Sequence, residues 1–104
     1  MDYVIKLDKY FMDWEWYGDT NTKVVFLHLL LNVNCQETKW RGITIKPGEL
    51  VTSLSSIERS LGLTRQQLRT ALDKLKKTNE IIVESTNAFS LIRINNYKNY
   101  LLAE

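Results

Sequence analysis

Between Thr64 and Lys77 the chain reads Thr64-Arg65-Gln66-Gln67-Leu68-Arg69-Thr70-Ala71-Leu72-Asp73-Lys74-Leu75-Lys76-Lys77, five bases against one acid. These side chains suit the recognition of a polyanion. Gln bonds adenine and Arg bonds guanine in bidentate fashion, while Lys neutralises a phosphate wherever it can reach one. At 100° per residue, Leu68, Ala71, Leu72 and Leu75 share one face. The face opposite Leu68 carries Gln66, Thr70, Asp73 and Lys77, flanked by Arg69 and Lys74, with Arg65 at the helix start. Ser53 and Ser55, at the start of a shorter helix, offer hydroxyls and unpaired amides to a further phosphate. Asn87, in a tight turn, offers a polar contact. Asp73 lies inside the stripe, and the turn Ser85-Thr86-Asn87 follows Glu84 and carries no base, so the affinity expected for DNA is moderate to weak. The plain alternative is the solvated side of an amphipathic helix.

Other reactive side chains point to packing. His28 lies in an apolar run without a nearby Cys, Asp or Glu. Cys35 is the sole cysteine, which excludes an internal disulfide framework and a Cys-rich zinc site. Asp13 and Glu15 sit among aromatics, a setting for packing or a partner surface. Trp14, Trp16 and Trp40 suit a core better than stacking on unpaired bases. The sequence has no phosphate-cradling Gly loop, metal-ligand spacing or nucleophile elbow. No catalytic residue, metal or cofactor is therefore expected, and the chain reads as a non-enzyme.

The elements that position these residues belong to one domain. A chain of 104 residues with 44% apolar and 25% charged residues has the composition of a globular protein. No apolar run reaches the ~18 residues of a membrane span, and the N-terminus has no signal-peptide core. A cytoplasmic protein without membrane contact is expected. Charge is uneven: six acids against three bases over 1–38, nine bases against three acids over 39–77, and three acids against two bases over 78–104. A basic middle between acidic ends is the footprint of a chain that lays one surface on nucleic acid.

Residues 1–20 form an acidic aromatic arm. The spacing then predicts a helix over 21–33 that is apolar on nearly its whole circumference. Such a helix must be covered on more than one side, by the arm or by a partner subunit. Trp14, Trp16, Tyr17, Phe26 and Leu30 are the residues expected to serve self-association or partner binding. Pro47-Gly48 turns between two short β-prone stretches. A short helix over 53–61, capped by Ser53 or Ser55, stops at Gly62, and Thr64 with Gln67 opens the next as a capping box. Asn79 suits a left-handed exit, and Ile81–Glu84 and Ala88–Ile94 read as a hairpin around Thr86-Asn87. The expected class is α+β: a winged helix-turn-helix over 21–94, with a three-helix core and a β-hairpin wing, and a C-terminal extension over 95–104.

The sequence resembles the N-terminal winged-helix domain of DnaD-like replication-initiation proteins, the replisome organisers of Gram-positive bacteria and their phages. The likeness runs through Asp13-Trp14-Glu15-Trp16-Tyr17, Phe26-Leu27-His28-Leu29-Leu30, Trp40-Arg41-Gly42, Gly48-Glu49-Leu50-Val51-Thr52-Ser53, Leu61-Gly62-Leu63-Thr64, Thr70-Ala71-Leu72-Asp73-Lys74-Leu75, the turn Ser85-Thr86-Asn87 and Ile92-Arg93-Ile94-Asn95-Asn96-Tyr97. It implies a DNA-binding and assembly module that forms a homo-oligomer and meets other replication proteins. It also implies a second, helical DNA-binding domain, which these 104 residues do not include. The expected source is then a module cut at its linker or a stand-alone phage or prophage protein. Two other readings share the fold: a self-association or partner-docking domain with little DNA binding, and a small phage transcription regulator.

Overall fold

The computed structural model describes residues 3–102, so the ends of the arm and of the extension lie outside the described residues. Helix α1 spans Thr20–Asn32, α2 Leu54–Leu61 and α3 Arg65–Lys77. Strands β1 (Val4–Ile5) and β7 (Leu101–Leu102) pair, as do β2 (Thr38–Trp40) and β3 (Ile43–Ile45). Strands β4 (Glu49–Thr52), β5 (Ile81–Ser85) and β6 (Ser90–Ile94) form an antiparallel sheet in the order β4-β6-β5. The described residues thus form an α+β domain of three α-helices and small antiparallel sheets.

Helix α1 starts where Asp19 accepts the Thr22 amide (3.2 Å), one residue before the expected boundary. Val25, Phe26, Leu29 and Leu30 are buried against α3, where Leu68, Ala71, Leu72 and Leu75 supply the facing surface. The second side of α1 is covered by the chain itself. Phe11 stacks on Trp14 (centroids 5.1 Å apart), Trp14 tilts onto Phe26 (4.8 Å), and Tyr100 meets Phe26 edge-on (5.6 Å). Two indole N–H groups then fasten the arm beyond the end of α3: Trp14 Nε1 donates to Glu80 Oε1 (3.1 Å) and Trp16 Nε1 to Thr78 Oγ1 (3.0 Å). Half-buried indoles need such partners. Burial of a side chain like Phe26 contributes about 1.5–3 kcal/mol.

This packing corrects one expectation. Phe26 and Leu30, assigned to self-association, are interior side chains at 0% and 1% exposure, and Trp14 and Trp16 are spent on holding the arm. Of the five residues in that group, only Tyr17 is exposed, with Lys23 Nζ 4.4 Å from its ring centroid. The remaining apolar side chain at the outer end of α1 is Leu31, 70% exposed.

Local signals set the rest. Ser53, not Ser55, caps α2 and accepts the Ser56 amide (3.1 Å). Gly62 ends α2 at φ +69°, and Thr64 and Gln67 form the reciprocal capping box of α3. Asn79 takes φ +60° at the exit from α3. Thr86 Oγ1 accepts both the Ala88 and Phe89 amides (3.2 Å each), closing the β5–β6 turn. Hairpin β2–β3 turns through Arg41 and Gly42, both at positive φ, as a two-residue type I′ loop requires. The arm also contains a 3-10 turn over Lys9–Asp13. Among the described residues no helix is long and apolar enough to cross a membrane.

Strand β4 is tied to the end of α1 through the Pro47-Gly48 turn. The Gly48 amide donates to the Asn34 carbonyl (2.7 Å), the Asn34 amide to the Glu49 carbonyl (2.8 Å), and the Ile94 amide to the Gly48 carbonyl (3.0 Å). Gly48 sits at φ +85°, and a Cβ there would lie 2.9 Å from Cβ and Cγ of the buried Tyr97. Strain and clash therefore act together. Gly48→Ala should lower the free energy of unfolding by about 1–3 kcal/mol, read from urea denaturation; an unchanged midpoint would mean that the turn relaxes freely.

Candidate nucleic-acid interface

Helix α3 buries Leu68, Ala71, Leu72 and Leu75 and exposes Arg65, Gln66, Gln67, Arg69, Thr70, Asp73, Lys76 and Lys77. The face expected to read a ligand is therefore outward. The tight turn at Gly62–Leu63 sets the start of α3 beside that of α2, and the β5–β6 turn comes up on the same side. Together they enclose a groove of about 380 Å³, lined by Ser53, Leu54 and Ser55 of the α2 start, Arg65 and Arg69 of α3, and Ser85–Ser90 of the hairpin. Five residues singled out from the sequence, Ser53, Ser55, Arg65, Arg69 and Asn87, meet here. The lining contains two guanidiniums and no carboxylate.

The cations are not equivalent. Arg65 pairs through Nε with Glu58 Oε2 and donates through Nη2 to Ser55 Oγ (3.1 Å), which brings the two helix starts together. A half-exposed pair of this kind is worth only ~0–1 kcal/mol, so a phosphate can take over the guanidinium at little cost. Arg69 and Lys77 are exposed and make no ion pair among the described residues. Asp73, the acid inside the stripe, is paired with Lys76 (3.2 Å), so its charge is compensated on its own helix. Gln66 Nε2 donates to Thr70 Oγ1 (3.2 Å) and both side chains remain exposed.

Lys74 departs from the expected arrangement. Its ammonium pairs with Asp19 Oδ2 and lies 5.6 Å from the Trp16 ring centroid, half-buried between α3, the α1 cap and the arm. It links α3 to α1, and the reason is sequence-distant: Asp19 is 55 residues away. Gln66 and Thr70 border a small recess of about 170 Å³ on this side, together with Asp19 and Lys74. The expected set is thus divided, with Arg65 and Arg69 toward the hairpin and Lys74 toward α1.

His28, Cys35, Asp13 and Glu15 lie outside the lining of the groove of Arg65 and Arg69. His28 Nδ1 faces only the Asn32 amide (3.5 Å), and desolvation lowers its pKa below the ordinary imidazole value. Cys35 is a free, half-buried thiol. Among the described residues no three His, Cys, Asp or Glu side chains group as metal ligands. Asp13 and Glu15 are exposed. Sequence reasoning missed hairpin β2–β3, where Lys39 and Arg41 are exposed and Trp40 meets Phe89 edge-on (5.0 Å, 78°). Its signal was present: Thr38-Lys39-Trp40 and Ile43-Thr44-Ile45 flank an Arg-Gly pair of hairpin-loop length.

The Lys74 hydrogen bond holds the Asp19 carboxyl below its ordinary value of 3.8, against the opposing effect of burial. A depressed carboxyl stabilises the fold in full above its unfolded value and loses that contribution as pH falls through the folded value. Asp19→Asn keeps a capping side chain but removes the charge. It should melt below wild type near neutral pH, by an amount corresponding to ~1 kcal/mol or less. The gap should close as pH falls below 3.8; a gap constant with pH would assign the loss to capping alone.

No protein-family model matches the chain, and no curated protein or solved structure matches it.

Proposed function

We propose that this domain is a winged helix that binds duplex DNA, with α3 in the major groove and the β5–β6 hairpin against the adjoining backbone. The observation that carries this reading is the groove in which Arg65 and Arg69 of α3, Ser53 of the α2 cap and Asn87 of the hairpin tip converge, the nearest carboxylate being Glu58, which pairs with Arg65 from outside the lining. The second of two tightly joined helices is the one that enters the major groove in this class of protein. Gln66 and Thr70 face base edges, and Arg65, Arg69 and Lys77 meet phosphates. The resemblance to DnaD-like proteins supports a place in replication initiation, with the domain serving as a DNA-binding module of a replisome organiser.

Affinity in this reading rests on few cations, because Lys74, Lys76 and Arg93 are committed to Asp19, Asp73 and Glu49. The hairpin tip adds polar contacts only. Binding is therefore moderate to weak and falls steeply with salt, since each neutralised phosphate releases counterions.

Arg69→Ala combined with Lys77→Ala removes two exposed, unpaired cations. Fluorescence anisotropy on a labelled duplex should show at least ~10-fold weaker binding at low salt and a log–log salt slope smaller by about 1.8. The melting temperature should stay within a few degrees of wild type. An unchanged affinity would remove α3 from the interface.

A further inference from the structure

Hairpin β2–β3 stands outside the three-helix core, beside strand β4 and against the β5–β6 turn. Trp40 is held edge-on by Phe89 at the base of the β5–β6 turn, and Arg41 lies over the Trp40 ring at 4.8 Å from its centroid. Ile45, at the end of β3, is buried. The guanidinium is therefore positioned before any ligand arrives, which lowers the entropy lost on binding. Lys39, one residue before Trp40, is exposed.

Between this hairpin and the edge of β4 runs a groove of about 560 Å³. Lys39 and Arg41 supply its charge, Thr38, Thr52, Ser53 and Ser56 its hydroxyls, and no carboxylate lines it. Neither cation is ion-paired among the described residues. Glu37, the nearest acid in sequence, is exposed and lies outside the lining. The groove shares Ser53, Ala88 and Phe89 with the groove of Arg65 and Arg69. The two are adjoining parts of one basic trough that passes on both sides of the β5–β6 turn.

We infer that hairpin β2–β3 is a second clamp on the phosphate backbone, carried by Lys39 and Arg41. It extends the duplex contact of α3 past the β5–β6 turn. A strand whose phosphates meet Arg65 and Arg69 continues along the trough to the second pair of cations. This arrangement supplies from a different hairpin the positive charge that Ser85-Thr86-Asn87 lacks. The ligand is the sugar–phosphate backbone, so the contact adds affinity without sequence preference. The inference rests on the duplex-binding reading of α3.

The test uses a labelled duplex of about 20 base pairs, roughly 68 Å long at 3.4 Å per pair, against a protein whose longest extent is 39 Å. Salt slopes are measured for wild type, Lys39→Ala/Arg41→Ala, Lys39→Arg/Arg41→Lys and Arg69→Ala/Lys77→Ala, with melting temperatures alongside. The expected result is a slope smaller by about 1.8 for the Lys39→Ala/Arg41→Ala protein, near-wild-type slope when the charges are exchanged, and unchanged melting. A wild-type slope in Lys39→Ala/Arg41→Ala, with the slope reduced in Arg69→Ala/Lys77→Ala, overturns the second clamp and leaves the α3 reading standing. The reverse pattern overturns the α3 reading and with it the second clamp that rests on it, leaving the hairpin as a backbone contact in its own right. Absence of salt-dependent binding by wild type overturns both.

Discussion

Helix α1 cannot be stable with one side alone covered, and much of the architecture follows from that requirement. Its inner side packs on α3, and its other side is covered by the two ends of the described chain. The aromatic arm provides cover through Phe11 and Trp14, and Tyr100 closes over Phe26 from the opposite end of the chain. The arm is not a simple apolar lid. Its two indole N–H bonds reach Thr78 and Glu80, just past α3, so the segment that covers α1 also holds the end of the helix that faces the candidate ligand. Covering the core and positioning the interface are one packing event.

A second constraint is the division of the cations. Several bases are neutralised within the fold, each for a structural purpose. Lys74 joins α3 to the cap of α1, Arg65 joins the starts of α2 and α3, and Arg93 crosses from β6 to the nearly buried Glu49. Glu49 in turn accepts the Lys46 amide (2.8 Å) and so fixes the Pro47-Gly48 turn. Bases left outside these pairs include Arg69, Lys77, Lys39 and Arg41. Three of these, Arg69, Lys39 and Arg41, line the trough around the β5–β6 turn. Net charge alone says little about this surface; what matters is which charges the fold leaves unspent.

The parts of the fold legible in the sequence are those set by local chemistry. Gly62, the Thr64–Gln67 box, Asn79 and the Thr86-Asn87 turn act over a few residues, and their effects are readable from a few residues. The apolar excess of α1 announced that cover was needed but not which segment would supply it. That choice depends on Trp14 meeting Glu80, across 66 positions. The same distance hid the role of Lys74, whose outward-looking place on the helical wheel is overruled by Asp19. Strands β1 and β7 are two residues each and carry no period to detect. For the candidate site, the exposed face of α3 was legible because amphipathic spacing is local. The neighbouring β2–β3 cations were not, because their relevance comes from Trp40 resting on Phe89.

The pairing of β1 with β7 sets Val4 opposite Leu102 and Ile5 opposite Leu101. Adjacent strands lie about 4.8 Å apart, so residues 4 and 102 sit side by side. Such a unit can sit inside a loop of a larger protein with little distortion of its host. Its two ends can also be joined by a short linker and reopened elsewhere, at an exposed turn such as Thr86-Asn87. The domain is in this respect closed on itself, with residues 4 and 102 meeting at one corner.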